Sequence, residues 1–448
     1  MLDARSLCAL AAPLTQKELS MRIRSSSLAF SLAAIFVLTV LGRATPSAAQ
    51  TERILHSFGA SSKDGWGPGA NLISDSSGNL YGTTAYGGGD NVGTVFEWLA
   101  KPGGIWTEVE LHSFVKDGRD GQNPLAGLVF DSAGNLYGTT NAGGVDGGGI
   151  VFELSPPIPP STRWVEKVLH TFLANNKDGL YPSASLLFDS AGNLYGTTGG
   201  GGDRAAGTAF ELSPTTGGSW TEAVLHSFAP STKGLGDGKN PRTALIGDPA
   251  GNLYGTTSEG GSLGNGTVFE LTPSTGGSWI ETILYSFANG GGDGAYPLGR
   301  LIFDSDGNLY GTTSQGGPNG GGTLYKLTPS PDGWAETVLY FFAPVYPSTD
   351  GNYPVGNLVF DSSGDLYGTT AEGGIGDCFG LGPVCGIVYE LTPSTGAWTE
   401  TVLHYFDENG TDGYYPLAGL VLGEGGIFYG TTELGGTSSS GTLFAIKP

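Results

Sequence analysis

Residues 131–144 read Asp-Ser-Ala-Gly-Asn-Leu-Tyr-Gly-Thr-Thr-Asn-Ala-Gly-Gly, and this stretch decides the fold. Its Tyr-Gly-Thr-Thr core recurs at Tyr81, Tyr137, Tyr195, Tyr254, Tyr310, Tyr367 and Tyr429, at intervals of 56 to 62 residues. Each copy continues through two variable residues into Gly-Gly. Each is preceded by Asp-Gly-x-x-Pro, as at Asp64 to Pro68, Asp120 to Pro124 and Asp412 to Pro416. Self-similarity at a near-fixed period marks a repeat architecture.

Every unit parses into four short strands with turn signals between them. In the second unit, strand A is expected at 126–131, B at 135–140, C at 149–154 and D at 163–172. Asp131 to Asn135 suits a short hairpin, with Gly134 taking positive φ. Four antiparallel strands repeated seven times predict an all-β protein, a seven-bladed β-propeller. The last unit supplies strands A, B and C at 418–422, 427–432 and 441–446, but no D. Glu52 to Phe58 matches the strand D segment Glu222 to Phe228, so the opening strand is expected to complete the seventh blade and remove open sheet edges.

Composition agrees. Gly numbers 79 of 448 residues, too dense for helix and without the three-residue period of collagen. Trp, Tyr and Phe at 8, 19 and 21 argue for a packed core. A formal charge of −22 disfavours nucleic acid and polybasic membrane-surface binding. Residues 1–49 read as a signal peptide, with Met21 as an alternative start. Arg22 and Arg24 precede an apolar run from Leu28 to Leu41, and Ser47-Ala48-Ala49 offers a cleavage site. Cleavage there removes five basic and two acidic residues and leaves a charge of −25. The propeller domain is then 50–448. It is expected to be periplasmic or extracellular, monomeric, and neither lipid-anchored nor integral to the membrane. Cys378 and Cys385 are close in sequence, and in an exported chain they read as one local disulfide.

The Leu-His-Ser-Phe, Asp-Gly-x-x-Pro, Asn-Leu-Tyr-Gly-Thr-Thr and Gly-Thr-Val-Phe-Glu-Leu-Thr-Pro strings resemble the GloVer tandem repeat, of the Gloeo_Verruco type. They cover nearly all of residues 52–448. The resemblance implies an exported, propeller-like repeat protein. It carries no catalytic residues onto this chain. Proteins of that kind end in a choice of anchors, and no anchor is recognisable here.

His56, His112, His170, His226 and His404 occupy one repeat position in strand D, with Tyr285 and Tyr340 in the other two units. Equivalent outer positions point radially apart, so these histidines are read as packing or hydrogen-bonding residues that cannot converge on one metal or triad. Glu97, Glu153, Glu211, Glu270 and Glu390 in strand C and Glu108, Glu166, Glu222, Glu281, Glu336 and Glu400 in strand D are read as charges discouraging edge pairing. Trp106 and its five equivalents at the start of D are read as blade packing. Asp304 to Asn308 looks like part of a calcium loop without its distal Glu, and a side chain bonding its own turn is the better reading. No cofactor is expected, with calcium as the minor alternative.

The residue before the repeat proline varies: Gly67, Asn123, Tyr181, Asn240, Tyr296, Tyr353 and Tyr415. Propeller D–A and B–C loops share one face, so the four Tyr and two Asn form a candidate ring there for a sugar or peptide. The alternative is Tyr packing on its own Pro or on the next blade. Three residues after the proline, Arg300 stands among Asn71, Gly127, Ser185, Ala244, Asn357 and Gly419 as a candidate channel residue. It would pair with either a ligand or an acidic side chain. The sequence favours a non-catalytic binding or scaffold module for a glycan, peptide or envelope component. A polysaccharide lyase or hydrolase working at the channel mouth and a structural surface spacer are the alternatives.

Overall fold

A computed structural model describes residues 51–61, 64–101, 103–229, 236–343, 349–380, 384–394 and 397–448. The expected signal segment lies outside the described residues. Within Thr51–Pro448, seven four-stranded antiparallel sheets form the blades of a β-propeller. Blade 2 is typical, with A at Val129–Phe130, B at Leu136–Thr140, C at Ile150–Ser155 and D at Val165–Thr171. Blade 7 takes its strand D from the other end of the chain. Thr51–Ser57 pairs antiparallel with Thr442–Lys447, from Thr51 opposite Lys447 to Ser57 opposite Thr442.

The repeat motif is the fold's wiring. In blade 2, Asp131 Oδ1 accepts from the Ala133 and Asn135 amides, and Oδ2 from Asn135 Nδ2 and the Tyr137 hydroxyl at 3.1 Å. Burial pushes this carboxyl up, but its hydrogen bonds outweigh burial and hold it below the usual carboxylate range. Asp304 makes the same four contacts with Asp306, Asn308 and Tyr310, so the partial calcium loop folds as a side-chain-bonded turn. Gly138 must lack a side chain because a Cβ would sit 2.6 Å from Phe152 Cζ. The first Thr ties neighbours together: Thr369 Oγ1 of blade 6 donates to Ala418 O of blade 7 at 2.8 Å. The second Thr pins the B–C loop, Thr140 Oγ1 donating to Ala142 O at 2.8 Å. Gly143 follows at φ 88°, where a Cβ would meet Asp120 O at 2.5 Å.

Strand A is shorter than expected, two residues where six were read. The carbonyls just before it do not join the ladder to strand B. Several face a Thr hydroxyl of the preceding blade instead, as Ala126 O does with Thr83 Oγ1 at 3.1 Å.

Buried apolar residues form seven clusters among the described residues, each spanning the seam between adjacent blades. Phe58, Phe114, Phe172, Phe228, Phe287, Phe342 and Phe406 are fully buried there. Each such ring contributes about 1.5–3 kcal/mol by burial. The strand D tryptophans pack across seams as read: Trp106 of blade 1 meets Tyr429 of blade 7 with centroids 5.6 Å apart. The glutamates do not guard edges. Glu97 and Glu270 of strand C accept from Tyr81 and Tyr254 at 2.6 and 2.9 Å, and the strand D glutamates turn into the seams. Strand D is the outer strand of its sheet, paired only with strand C, and its glutamates meet the histidine or tyrosine and the aspartate of the adjoining seam instead.

Candidate functional site

The Asp-Gly-x-x-Pro segment and the start of the B–C loop pair as a short ribbon in every unit. Gly121–Gln122 lies against Ala142–Gly143, and in blades 5 and 6 the ribbon extends strand B itself. The two loop sets therefore share one face, as expected. At the position before the proline every residue has positive φ: Gly67 at 68°, Asn123 at 54°, Tyr181 at 62°, Asn240 at 61°, Tyr296 at 57°, Tyr353 at 62° and Tyr415 at 63°. Its amide reaches back to the preceding blade's loop, as Tyr415 N does to Cys385 O at 2.9 Å and Asn123 N to Val92 O at 2.8 Å. Glycine and Asn tolerate this left-handed backbone, whereas Tyr there is strained. Four tyrosines are thus held at a position whose backbone favours something smaller.

The side chains of that face differ in surroundings. Tyr181 is 50% exposed. Tyr415 is half-buried, and burial first, then the Glu372, Tyr353 and Glu433 charges, push its hydroxyl up. Burial also raises the Glu372 and Glu433 carboxyls, and Glu372 Oε2 accepts from Asn352 Nδ2 at 3.0 Å. Asn123 and Asn240 are committed to protein partners. Asn123 Nδ2 donates to Ala85 O at 3.0 Å, and Asn240 Oδ1 accepts from Arg242 Nε at 2.8 Å. Where Gly67 offers no ring, Trp66 stacks on Tyr86 with centroids 4.2 Å apart. The sequence reading missed that pair and the two glutamates, although Trp66 and Glu372 stand at variable positions of otherwise fixed motifs. Cys378 and Cys385 form the expected disulfide beside this face, with Phe379 edge-on to Tyr414.

Arg300 is not part of the aromatic ring. It lines the central channel, a cavity of about 450 Å³ bounded by strand A and the residues just before it in six blades, among them Asn71, Ser185, Ile302, Asn357 and Val421.

A third constellation follows the seams. In all seven strand D a bulge falls at the Leu before the His or Tyr, as at Leu169, where Val151 faces His170 and Phe152 faces Val168. The histidines do not converge on one point, as expected, but each meets its own pair of acids. His112 Nε2 lies 3.6 Å from Asp120 Oδ2 and 3.8 Å from Glu166 Oε2 of the next blade. His56 with Asp64 and Glu108, His170 with Asp178 and Glu222, His226 with Asp237 and Glu281, and His404 with Asp412 and Glu52 repeat the set. The last of these bridges the two chain ends. One ligand atom from each residue lies within 4.8 Å of the others, a spacing that could hold a divalent cation. The other two seams keep the acids but use Tyr: the Tyr340 hydroxyl lies 3.1 Å from Asp350 and 3.3 Å from Glu400. In just those two, strand C carries Tyr325 and Tyr389 where the rest carry Phe. Phenol taking the place of imidazole in two seams is the pattern expected of a proton shared with the acids, and a bound cation is the alternative at the five histidine sets. Burial and the neighbouring Asp64 push the Glu108 carboxyl up to about 7, with His56 opposing.

The fold has solved counterparts. The extracellular domain of a proposed one component system from B. thetaiotaomicron aligns with a TM-score of 0.52 at 13% identity, over 88% of this chain and 42% of that one. A proposed 6-phosphogluconolactonase from Bacteroides uniformis aligns with a TM-score of 0.48 at 13% identity, over 79% of this chain and 88% of that one. The chain thus spans less than half of the B. thetaiotaomicron structure it matches, and at these identities the likeness concerns the fold alone. No curated protein sequence matches it. The Gloeobacter/Verrucomicrobia repeat model matches residues 39–248, 158–382 and 240–448, and the chain belongs to that repeat family.

Proposed function

We propose that the chain is an exported, monomeric, non-catalytic binding module that takes a glycan, peptide or other envelope component on its ribbon face. One observation carries this reading: Tyr353 and Tyr415, held on strained backbone, stand with the half-buried acids Glu372 and Glu433. Aromatic faces stack on the C–H faces of sugars, and a carboxyl that is easily protonated can donate or accept among their hydroxyls. A glycan fits that combination best. A buried disulfide supports export, because such bonds persist in oxidising compartments. The B. thetaiotaomicron structure of similar fold is an extracellular domain, which is consistent with a propeller placed outside the cell.

The test is a glycan array and affinity electrophoresis in soluble polysaccharides, with wild type and Tyr415→Asn. Asn suits the left-handed backbone, so the variant should fold and lose binding at least tenfold. Absence of any ligand in glycan and envelope-extract screens refutes the binding module. Cleavage of a bound polysaccharide replaces it with the lyase or hydrolase reading.

A further inference from the structure

Arg300 sits in the channel without a counter-charge. Its Nε is buried and has no hydrogen-bond partner, and burial pushes the guanidinium down with no neighbouring charge to oppose it. A largely buried cation without a counter-charge destabilises the fold, and in a chain of net charge −22 acidic side chains were plentiful to offset it. None does so among the described residues.

What surrounds Arg300 is a set of donors. Asn357 Oδ1 accepts from the Arg300 amide at 3.2 Å, and Asn71 Oδ1 accepts from the Gly419 amide at 2.6 Å. With their oxygens occupied by backbone N–H groups, both asparagines have NH2 groups left to donate. The Ser185 hydroxyl lines the same cavity. Below this polar layer the channel wall turns aliphatic, with Ile302, Val359 and Val421. A guanidinium fork matches the two oxygens of a carboxylate.

We propose that the central channel binds a small aliphatic monocarboxylate. Its oxygens meet Arg300, Asn71, Ser185 and Asn357, and its short tail lies along Ile302 and Val359. The cavity of about 450 Å³ has room for both parts. This site is separate from the ribbon face and stands or falls without it.

The test is titration calorimetry and thermal melting of the purified protein with sodium butyrate, acetate, sulfate and chloride at matched ionic strength. Butyrate should bind saturably and raise Tm, acetate should bind more weakly, and sulfate and chloride at least tenfold more weakly than butyrate. Arg300→Met should lose butyrate binding at least tenfold and, without added anion, melt no lower than wild type. Asn357→Asp keeps the acceptor for the Arg300 amide and brings a carboxylate beside the guanidinium. It should raise Tm without anion and abolish the butyrate response, which keeps the proposal testable should the Met variant not fold. No saturable response in wild type overturns the proposal. So do sulfate binding as tight as butyrate and butyrate binding that survives in either variant.

Discussion

Glu108→Gln isolates the chemistry of one seam. Glu108 faces His56 at 3.7 Å and also feels Asp64 and the exposed Glu110. Its side chain is 25% exposed, and its carboxyl is pushed up to about 7 from an ordinary value near 4.5. A folded-state pKa raised above the unfolded one gives stability that is fully present below about pH 4.5. That stability is lost as pH rises through about 7. The difference sets a ceiling of about 3 kcal/mol, which solvent at a quarter-exposed side chain reduces to about 1–2 kcal/mol. Gln mimics the neutral acid and has no proton to lose. The variant should therefore match wild type near pH 5 and exceed it by about 1–2 kcal/mol at pH 8. For a unit the size of Thr51–Pro448 that is about 1–2 °C in Tm. Scanning calorimetry from pH 5 to 8.5, with and without chelator, measures it. A Gln variant less stable than wild type at pH 8 would refute the shared-proton reading. It would mean that the seam needs an ionised carboxylate, for His56 or for a cation, and a chelator-sensitive Tm in wild type would identify the cation.

Two further outcomes test the frame. Removing residues 51–58 takes away strand D of blade 7 and the fully buried Phe58, whose loss alone costs about 3–5 kcal/mol. Cooperative melting should be lost or Tm should fall by many degrees, and an unchanged calorimetric transition contradicts ring closure. Cys378→Ser with Cys385→Ser opens a crosslink between residues seven apart, worth about 2–3 kcal/mol by chain entropy. Urea unfolding of the double variant, compared with reduced wild type, should show that loss, and identical midpoints in all three would mean the bond constrains nothing.

Sequence alone determined the seven blades, the order of their strands and the closure of the ring. All of that follows from short-range patterns repeated at a fixed period, and a missing strand at one end has its match at the other. The local disulfide and the strand D tryptophans were legible for the same reason. Even the left-handed backbone before the repeat proline left a trace, since Gly67, Asn123 and Asn240 share that position with the tyrosines. Only the tertiary structure decided what meets across a seam or an axis. Glu166 is 54 residues beyond His112, in the next repeat, and nothing local announces that a bulge turns one toward the other. The strand D glutamates looked like edge guards because pairing was counted within a blade, while their burial comes from its neighbour. Arg300 was conspicuous in the sequence, but whether a carboxylate reached it depended on the five other blades that line its cavity, and among the described residues none does.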